Sequence, residues 1–316
     1  MSIHNIRREV MLTLEKSIDT FVDKFLITPE KIWQPTDFLP NSQKDTFIDE
    51  VKEIQEISKE LDDDFWVVLV GDTITEEALP TYESWLLDLE GVSQQPDNGW
   101  AKWVRAWTAE ENRHGDVLNK YLYLSGRVNM REVEITTQHL IADGFDIGTS
   151  FQELATYISH NNVAKIARKK GHKALAKMSK IIAGDEMRHH VAYSEFVKEI
   201  FKIDPSEMML AFQHMMKHKI VMPAMHLRES FEAKGSLFDQ FSSVAQRVGV
   251  YTGFDYVDIL QKLNTTWKID AITNLTPEAE KARDWLLKLP ERMYRITERI
   301  VVPDTKYNFK WMNPVV

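Results

Sequence analysis

The sequence predicts an all-α protein, and three observations carry that prediction. Only 12 glycines and 11 prolines are spread over 316 residues, so long segments run without either helix breaker. Several of those segments place apolar residues at helical spacing and are too long for strands. Two Glu-x-x-His units occur, Glu111 with His114 and Glu186 with His189. Residues three apart share a face on a helix, so each unit presents one carboxylate and one imidazole in the same direction.

Composition bounds the rest. Hydrophobic residues make up 43% and charged residues 28%, which reads as a globular chain with a sizeable core. No internal repeat beyond the two Glu-x-x-His units and no linker stands out, so residues 1–316 read as one domain. It comprises an N-terminal arm (1–60), a central bundle (about 65–202) and C-terminal helices (205–300). Cysteine is absent, which excludes thiolate metal sites, thiol nucleophiles and iron–sulfur clusters carried by this chain. No apolar run approaches the roughly 18 residues needed to span a bilayer. Residues 1–11 read neither as a signal peptide nor as an organelle leader, so a cytoplasmic protein is expected. A net charge of −9 argues against nucleic-acid binding, and no Gly-rich phosphate loop is present.

Taken in order, residues 1–40 give a helical stretch and a Pro-punctuated aromatic loop at 33–40. Residues 42–60 read as an acidic amphipathic helix. Residues 65–90 read as one long buried helix, kinked near Pro80. It carries Glu76 and Glu77 inside an apolar stretch, and buried carboxylates need partners or a metal. Spacing alone leaves open which of the two points inward. Residues 98–125 carry Glu111 and His114 and stop at Gly126. A shorter helix covers 131–142. Residues 148–170 carry Glu153, with Thr156 over the same face, and Gly171 separates them from 172–202, which carry Glu186 and His189. Further helices are expected at 205–228, 235–248, 253–267 and 277–300, the last opened by Thr276-Pro277-Glu278. The Met-rich stripe of 205–228 reads as core or as the wall of a flexible apolar channel. The tail after 301 reads as irregular.

Four long helices therefore supply one Glu, a Glu/His pair, one Glu and a Glu/His pair. That order suits a four-helix bundle with two metal ions in its core. Between residues 161 and 180 lie seven basic residues and no acid: Lys165, Arg168, Lys169, Lys170, Lys173, Lys177 and Lys180. Such a run is a solvated face or a docking surface for an acidic partner.

These residues resemble the soluble acyl-carrier-protein desaturases. The matching stretches are 33–40, 67–82, 106–131, 149–161, 185–189 and 243–256. The resemblance implies a ferritin-like four-helix bundle with a di-iron centre, additional packed helices, and a homodimer. It implies two Fe²⁺ ligated by Glu76, Glu111, His114, Glu153, Glu186 and His189, choosing Glu76 over Glu77. Trp33 matches a tryptophan on a proposed electron-entry route. Asp185 matches the acid that hydrogen-bonds a ligand histidine, and Thr156 the hydroxyl beside the oxygen-binding face. The implied reaction is O₂-dependent desaturation of an acyl chain on acyl carrier protein, with ferredoxin as electron donor. A di-iron oxidase or hydroxylase acting on another substrate is the alternative. Arg188, Lys169, Lys170 and Lys173 are candidate carrier-docking groups. The segment between Ile141 and Thr149 and the loop 92–98 are shorter than in the plant enzymes, and His190 stands where they have an acid.

Overall fold

The structure, a computed structural model, describes residues 3–145, 149–218, 222–304 and 306–312. Of the shortened segment noted between Ile141 and Thr149, residues 146–148 lie outside them. Among the described residues thirteen α-helices follow one another: α1 (Ile3–Glu15), α2 (Ile18–Phe25), α3 (Phe47–Ser58), α4 (Asp63–Glu77), α5 (Leu79–Leu87), α6 (Gly99–Ser125), α7 (Met130–Asp143), α8 (Thr149–Lys169), α9 (Lys173–Ile203), α10 (Pro205–Lys217), α11 (Phe238–Val248), α12 (Gly253–Thr266) and α13 (Pro277–Thr297). No strand occurs among the described residues.

The central bundle consists of α4, α6, α8 and α9. Helix α4 is buried from Phe65 through Gly71, so it has no polar face and sits inside the molecule. Helix α6 starts where the Asn98 side chain accepts a hydrogen bond from the Ala101 N–H, and stops at Gly126 in the left-handed region. Gly171 (φ +84°) turns the chain from α8 into α9, and the His172 N–H closes the turn on the Ala167 carbonyl at 2.8 Å. The two helices then pack along their length.

Three expectations need correction. The helix expected over 65–90 is two helices, broken at Ala78, because Pro80 has no N–H to continue the ladder and instead sits in the first turn of α5. The helix expected over 205–228 stops at Lys217; a short 3₁₀ turn, Pro223–His226, follows, and residues 219–221 lie outside the described chain. Residues 1–40 hold two α-helices, α1 and α2, among the described residues, rather than one helical stretch. The start of α13 is as expected: Thr276 Oγ1 accepts from the Ala279 N–H at 3.3 Å.

The tail after residue 301 is irregular but anchored. Phe309 and Trp311 are buried, Trp311 Nε1 donates to Thr136 Oγ1 at 3.0 Å, and the Trp311 carbonyl accepts from the Asn129 N–H. It straps α7 onto the bundle.

Helix α11 lies against α4 at Gly71, where a Cβ would come within 2.1 Å of the Phe241 ring. Gly71→Ala tests that contact. Helix propensity alone would favour alanine by about 1 kcal/mol. Overpacking costs about 1–3 kcal/mol and should win, so chemical denaturation is expected to show a net loss that Phe241→Leu restores. A stabilised single variant would place α11 elsewhere.

Candidate metal centre

The four bundle helices bring six side chains to one point. Glu76 comes from α4, Glu111 and His114 from α6, Glu153 from α8, and Glu186 and His189 from α9. All six are buried, none more than 8% exposed. They form two overlapping groups, Glu76–Glu111–His114–Glu186 and Glu111–Glu153–Glu186–His189, each with its donor atoms within 4.8 Å of one another. Glu111 and Glu186 belong to both groups, so they stand where bridging carboxylates would, and Glu76 and Glu153 stand at the two ends.

The donor atoms face inward. His114 Nδ1 lies 2.9 Å from Glu111 Oε2 and 3.0 Å from Glu186 Oε1. His189 Nδ1 lies 2.5 Å from Glu111 Oε1 and 3.7 Å from Glu153 Oε2. Both Nδ1 atoms, with Glu111 Oε1 and Glu186 Oε1, are buried, face one another and have no partner outside this group of six. Buried polar atoms without partners are costly, and here they converge on one another. Cations placed among them satisfy all four.

Electrostatics agree. Burial pushes the Glu153 carboxyl well above its ordinary value, and the neighbouring Glu111 and Glu186 carboxylates push it further. Burial raises Glu186 as well, with Glu111 and Glu76 adding to it. Burial alone would lower His189, but Glu111 and Glu110 outweigh it and hold the imidazole at about 9. Without metal, the site must share protons among like charges; divalent cations replace those protons. Three oxygens and one nitrogen per group suit iron, and the residues fit a di-iron centre.

A second layer orients both imidazoles. Asp185 Oδ2 lies 3.3 Å from His114 Nε2 and accepts from Trp33 Nε1 at 2.8 Å. Trp33 stacks on His114, rings 5.9 Å apart and 7° from parallel. Glu110 Oε2 lies 2.9 Å from His189 Nε2. Each outer nitrogen is thus engaged, which turns Nδ1 to the centre. Arg188 joins the two carboxylates: Nη1 donates to Asp185 Oδ1 at 2.7 Å, Nη2 to Glu110 Oε2, and Nε to the Phe25 carbonyl at 2.8 Å. Arg188, expected as a carrier-docking group, therefore spends its donors inside the protein. Lys169, Lys170 and Lys173 are exposed, with Lys170 3.7 Å from Asp62. Thr156 Oγ1 donates to Glu186 Oε2 at 2.6 Å.

Sequence reasoning missed Glu110, His160, Asp72 and Ser159. His160 Nε2 lies 2.8 Å from Glu76 Oε1. His160 is two turns from Glu153 on α8, so helical spacing held a signal for it; Glu110, one residue before Glu111, shows its role only in the folded structure. Glu77 turns aside and accepts from Asn119 Nδ2 at 2.7 Å.

A cavity of about 530 Å³ reaches the centre at Thr75, Glu76 and Thr156, and runs out between Met216, Met222, Phe241, Tyr251 and Trp285. Part of the methionine stripe thus lines a channel, while Met209 is core. Asp72 intrudes on the wall; it accepts from Ser159 Oγ at 3.0 Å, and burial pushes its carboxyl up to about 6. No helix among the described residues is long and apolar enough to cross a membrane.

Comparison with known proteins agrees with this geometry. The family model described as fatty acid desaturase matches residues 6–313. The stearoyl-[acyl-carrier-protein] 9-desaturase of Ricinus communis is 49% identical over 302 residues, which cover 90% of this chain and 76% of that protein. Stearoyl-[acyl-carrier-protein] 9-desaturase 5 of Arabidopsis thaliana is 50% identical over 306 residues, covering 91% and 77%. The X-ray structure of DesA2 from Mycobacterium tuberculosis superimposes with a TM-score of 0.52 at 17% identity, over 87% of this chain and 99% of that one, a likeness of fold. With the family model spanning nearly its whole length and relatives this similar, the chain belongs to the fatty acid desaturase family.

Proposed function

We propose that this protein introduces a double bond into a saturated acyl chain carried on acyl carrier protein, using O₂ and two iron ions held by Glu76, Glu111, His114, Glu153, Glu186 and His189. One observation carries the proposal: a buried centre of four carboxylates and two imidazoles opens onto an apolar cavity of about 530 Å³. Two bound irons, reduced and then exposed to O₂, would supply an oxidant strong enough for unactivated methylenes. The protein's own residues do the rest. The apolar walls hold the chain extended and keep water from the centre. Thr156 holds a hydroxyl between the cavity and Glu186, in reach of a proton transfer there.

Two electrons must come from outside, since the chain has no flavin, nicotinamide or iron–sulfur motif. Ferredoxin is the proposed donor. The half-buried Trp33, bonded to Asp185 and stacked on His114, is the proposed entry. One contact favours a second role for the basic run. Lys177 Nζ sits 5.2 Å over the Phe38 ring, and Phe38 packs edge-on against Trp33 at 5.4 Å. The run that carries Lys169, Lys170 and Lys173 therefore flanks the electron entry as well as offering charge to the carrier. A homodimer belongs to the same proposal.

Purified protein reconstituted with Fe²⁺ is expected to hold about two irons per chain. With stearoyl- or palmitoyl-carrier protein, ferredoxin, its reductase, NADPH and O₂ it should give a monoene by mass spectrometry; iron binding with no monoene would turn the proposal to another substrate. Asp185→Ala should lower iron affinity or turnover roughly 10–100-fold, read by metal titration and rate. Trp33→Phe should keep both irons and slow only their reduction. Reversing Lys169, Lys170 and Lys173 to Glu should raise the apparent KM for carrier substrate, for ferredoxin, or for both. Unchanged constants for both proteins would remove the run from either interface.

A further inference from the structure

His189 has an aromatic neighbourhood of its own, on the side away from Trp33. Trp107 lies 6.4 Å from the His189 ring, and Tyr193 lies 6.1 Å from Trp107. Tyr193 is 5.7 Å from Trp103. Phe196 then links Trp103 (4.9 Å) to Trp100 (5.2 Å). Trp100, Trp103 and Trp107 form one stripe of α6, at the i, i+3 and i+7 spacing of a helix face. The stripe starts beside a metal-type histidine and ends in the first turn of α6, where Trp100 Nε1 donates to the Met11 carbonyl at 2.9 Å.

Packing alone does not account for these residue types. The N–H of Trp107 is buried without a hydrogen-bond partner, and the Trp103 N–H and the Tyr193 hydroxyl, equally buried, have at most each other. Buried Trp and Tyr ordinarily place those groups. Phe or Leu would fill the same space without the desolvation cost of an unmade hydrogen bond. What indole and phenol add over Phe and Leu is ready one-electron oxidation.

We propose that Trp107, Tyr193, Trp103 and Trp100 form an escape route for oxidising equivalents when O₂ reacts at the centre with no acyl chain in the cavity. The inference rests on the di-iron proposal above. In the coupled reaction, O₂ takes four electrons and four protons to give two waters. Two electrons come from the donor protein; the other two, with two protons, come from adjacent methylenes as the C–H bonds break and the double bond forms. With no acyl chain, the last two electrons are drawn one at a time from Trp107. Trp103 and Trp100 refill it in turn, across the Tyr193 and Phe196 rings that lie between them. A small water-soluble reductant, a thiol or ascorbate, supplies the electrons and the balancing protons at the Trp100 end and is itself oxidised. The route points away from Trp33, so entry and escape use opposite histidines.

The test is a single turnover of iron-loaded protein, reduced chemically with dithionite, freed of acyl substrate and mixed with O₂. Freeze-quench EPR and peptide mass mapping are the readouts. An organic radical signal is expected, with oxygen adducts on Trp100 and Trp103. Trp103→Phe should move adducts inward, onto Trp107 and Tyr193, by several-fold. Ascorbate added with the O₂ should suppress the adducts, and so should acyl-carrier substrate. Trp107→Phe, a milder change in volume, should cut the signal at every outer position, so the proposal can fail even if one variant folds poorly. Adducts scattered over methionines and unrelated aromatics, equal in both variants, would overturn the route, as would the absence of any radical or adduct. Protein that binds iron and reduces O₂ but forms no monoene would overturn the acyl substrate while leaving this route tested; protein that binds no iron would overturn both.

Discussion

Four carboxylates and two imidazoles cannot share one water-poor site as charges of their own making. Moving a single carboxylate into such a place costs several kcal/mol after relaxation. Here Glu76, Glu111, Glu153 and Glu186 are all buried around two histidines, and one oxygen each of Glu111 and Glu186 has no hydrogen-bond partner. Divalent cations would resolve that conflict. Helices α4, α6, α8 and α9 meet at the centre, and without cations unpaired charge would stand in the middle of the core. The same strain would be the source of the affinity for the proposed metals.

The arm converts this centre into a connected one. The Ile27 N–H and the Trp33 indole donate to the carboxylates beside the two histidines, and the Phe25 carbonyl accepts from Arg188, which bonds to both of those carboxylates. Arg188 ties those carboxylates together across the two metal positions. One guanidinium therefore touches the outer support of both histidines, and the arm that an electron donor would approach is bonded to the same network. The cavity meets the centre at Thr156 and Glu76, whereas the arm meets it through Asp185 and Glu110, so the proposed electron entry and the proposed acyl site use different residues.

Much of this was legible in the sequence. The two Glu-x-x-His units lie on α6 and α9, and Glu153 on α8, because helical spacing and two sharp glycine stops, Gly126 and Gly171, leave little freedom there. The choice between Glu76 and Glu77 was not legible from spacing, because α4 is apolar all round and has no polar face to set its phase. The break at Ala78 was underestimated as a kink for a related reason: apolar residues continue past Pro80 and mask the lost hydrogen bond. Arg188 looked like a surface charge because sequence cannot show that Glu110 and the arm close over it. Glu110 and Asp72 are acids on helices rich in acids, and only tertiary contact separates them from the solvated ones.

The measurement that bears most directly on this account is anomalous X-ray scattering at the iron edge from crystals of Fe²⁺-loaded protein. Two peaks are predicted in the bundle core, each beside one histidine Nδ1, with Glu111 and Glu186 between them and Glu76 and Glu153 at the ends. A single peak, or peaks that leave Glu111 and Glu186 outside the coordination, would contradict the bridged two-metal centre on which the proposed chemistry depends.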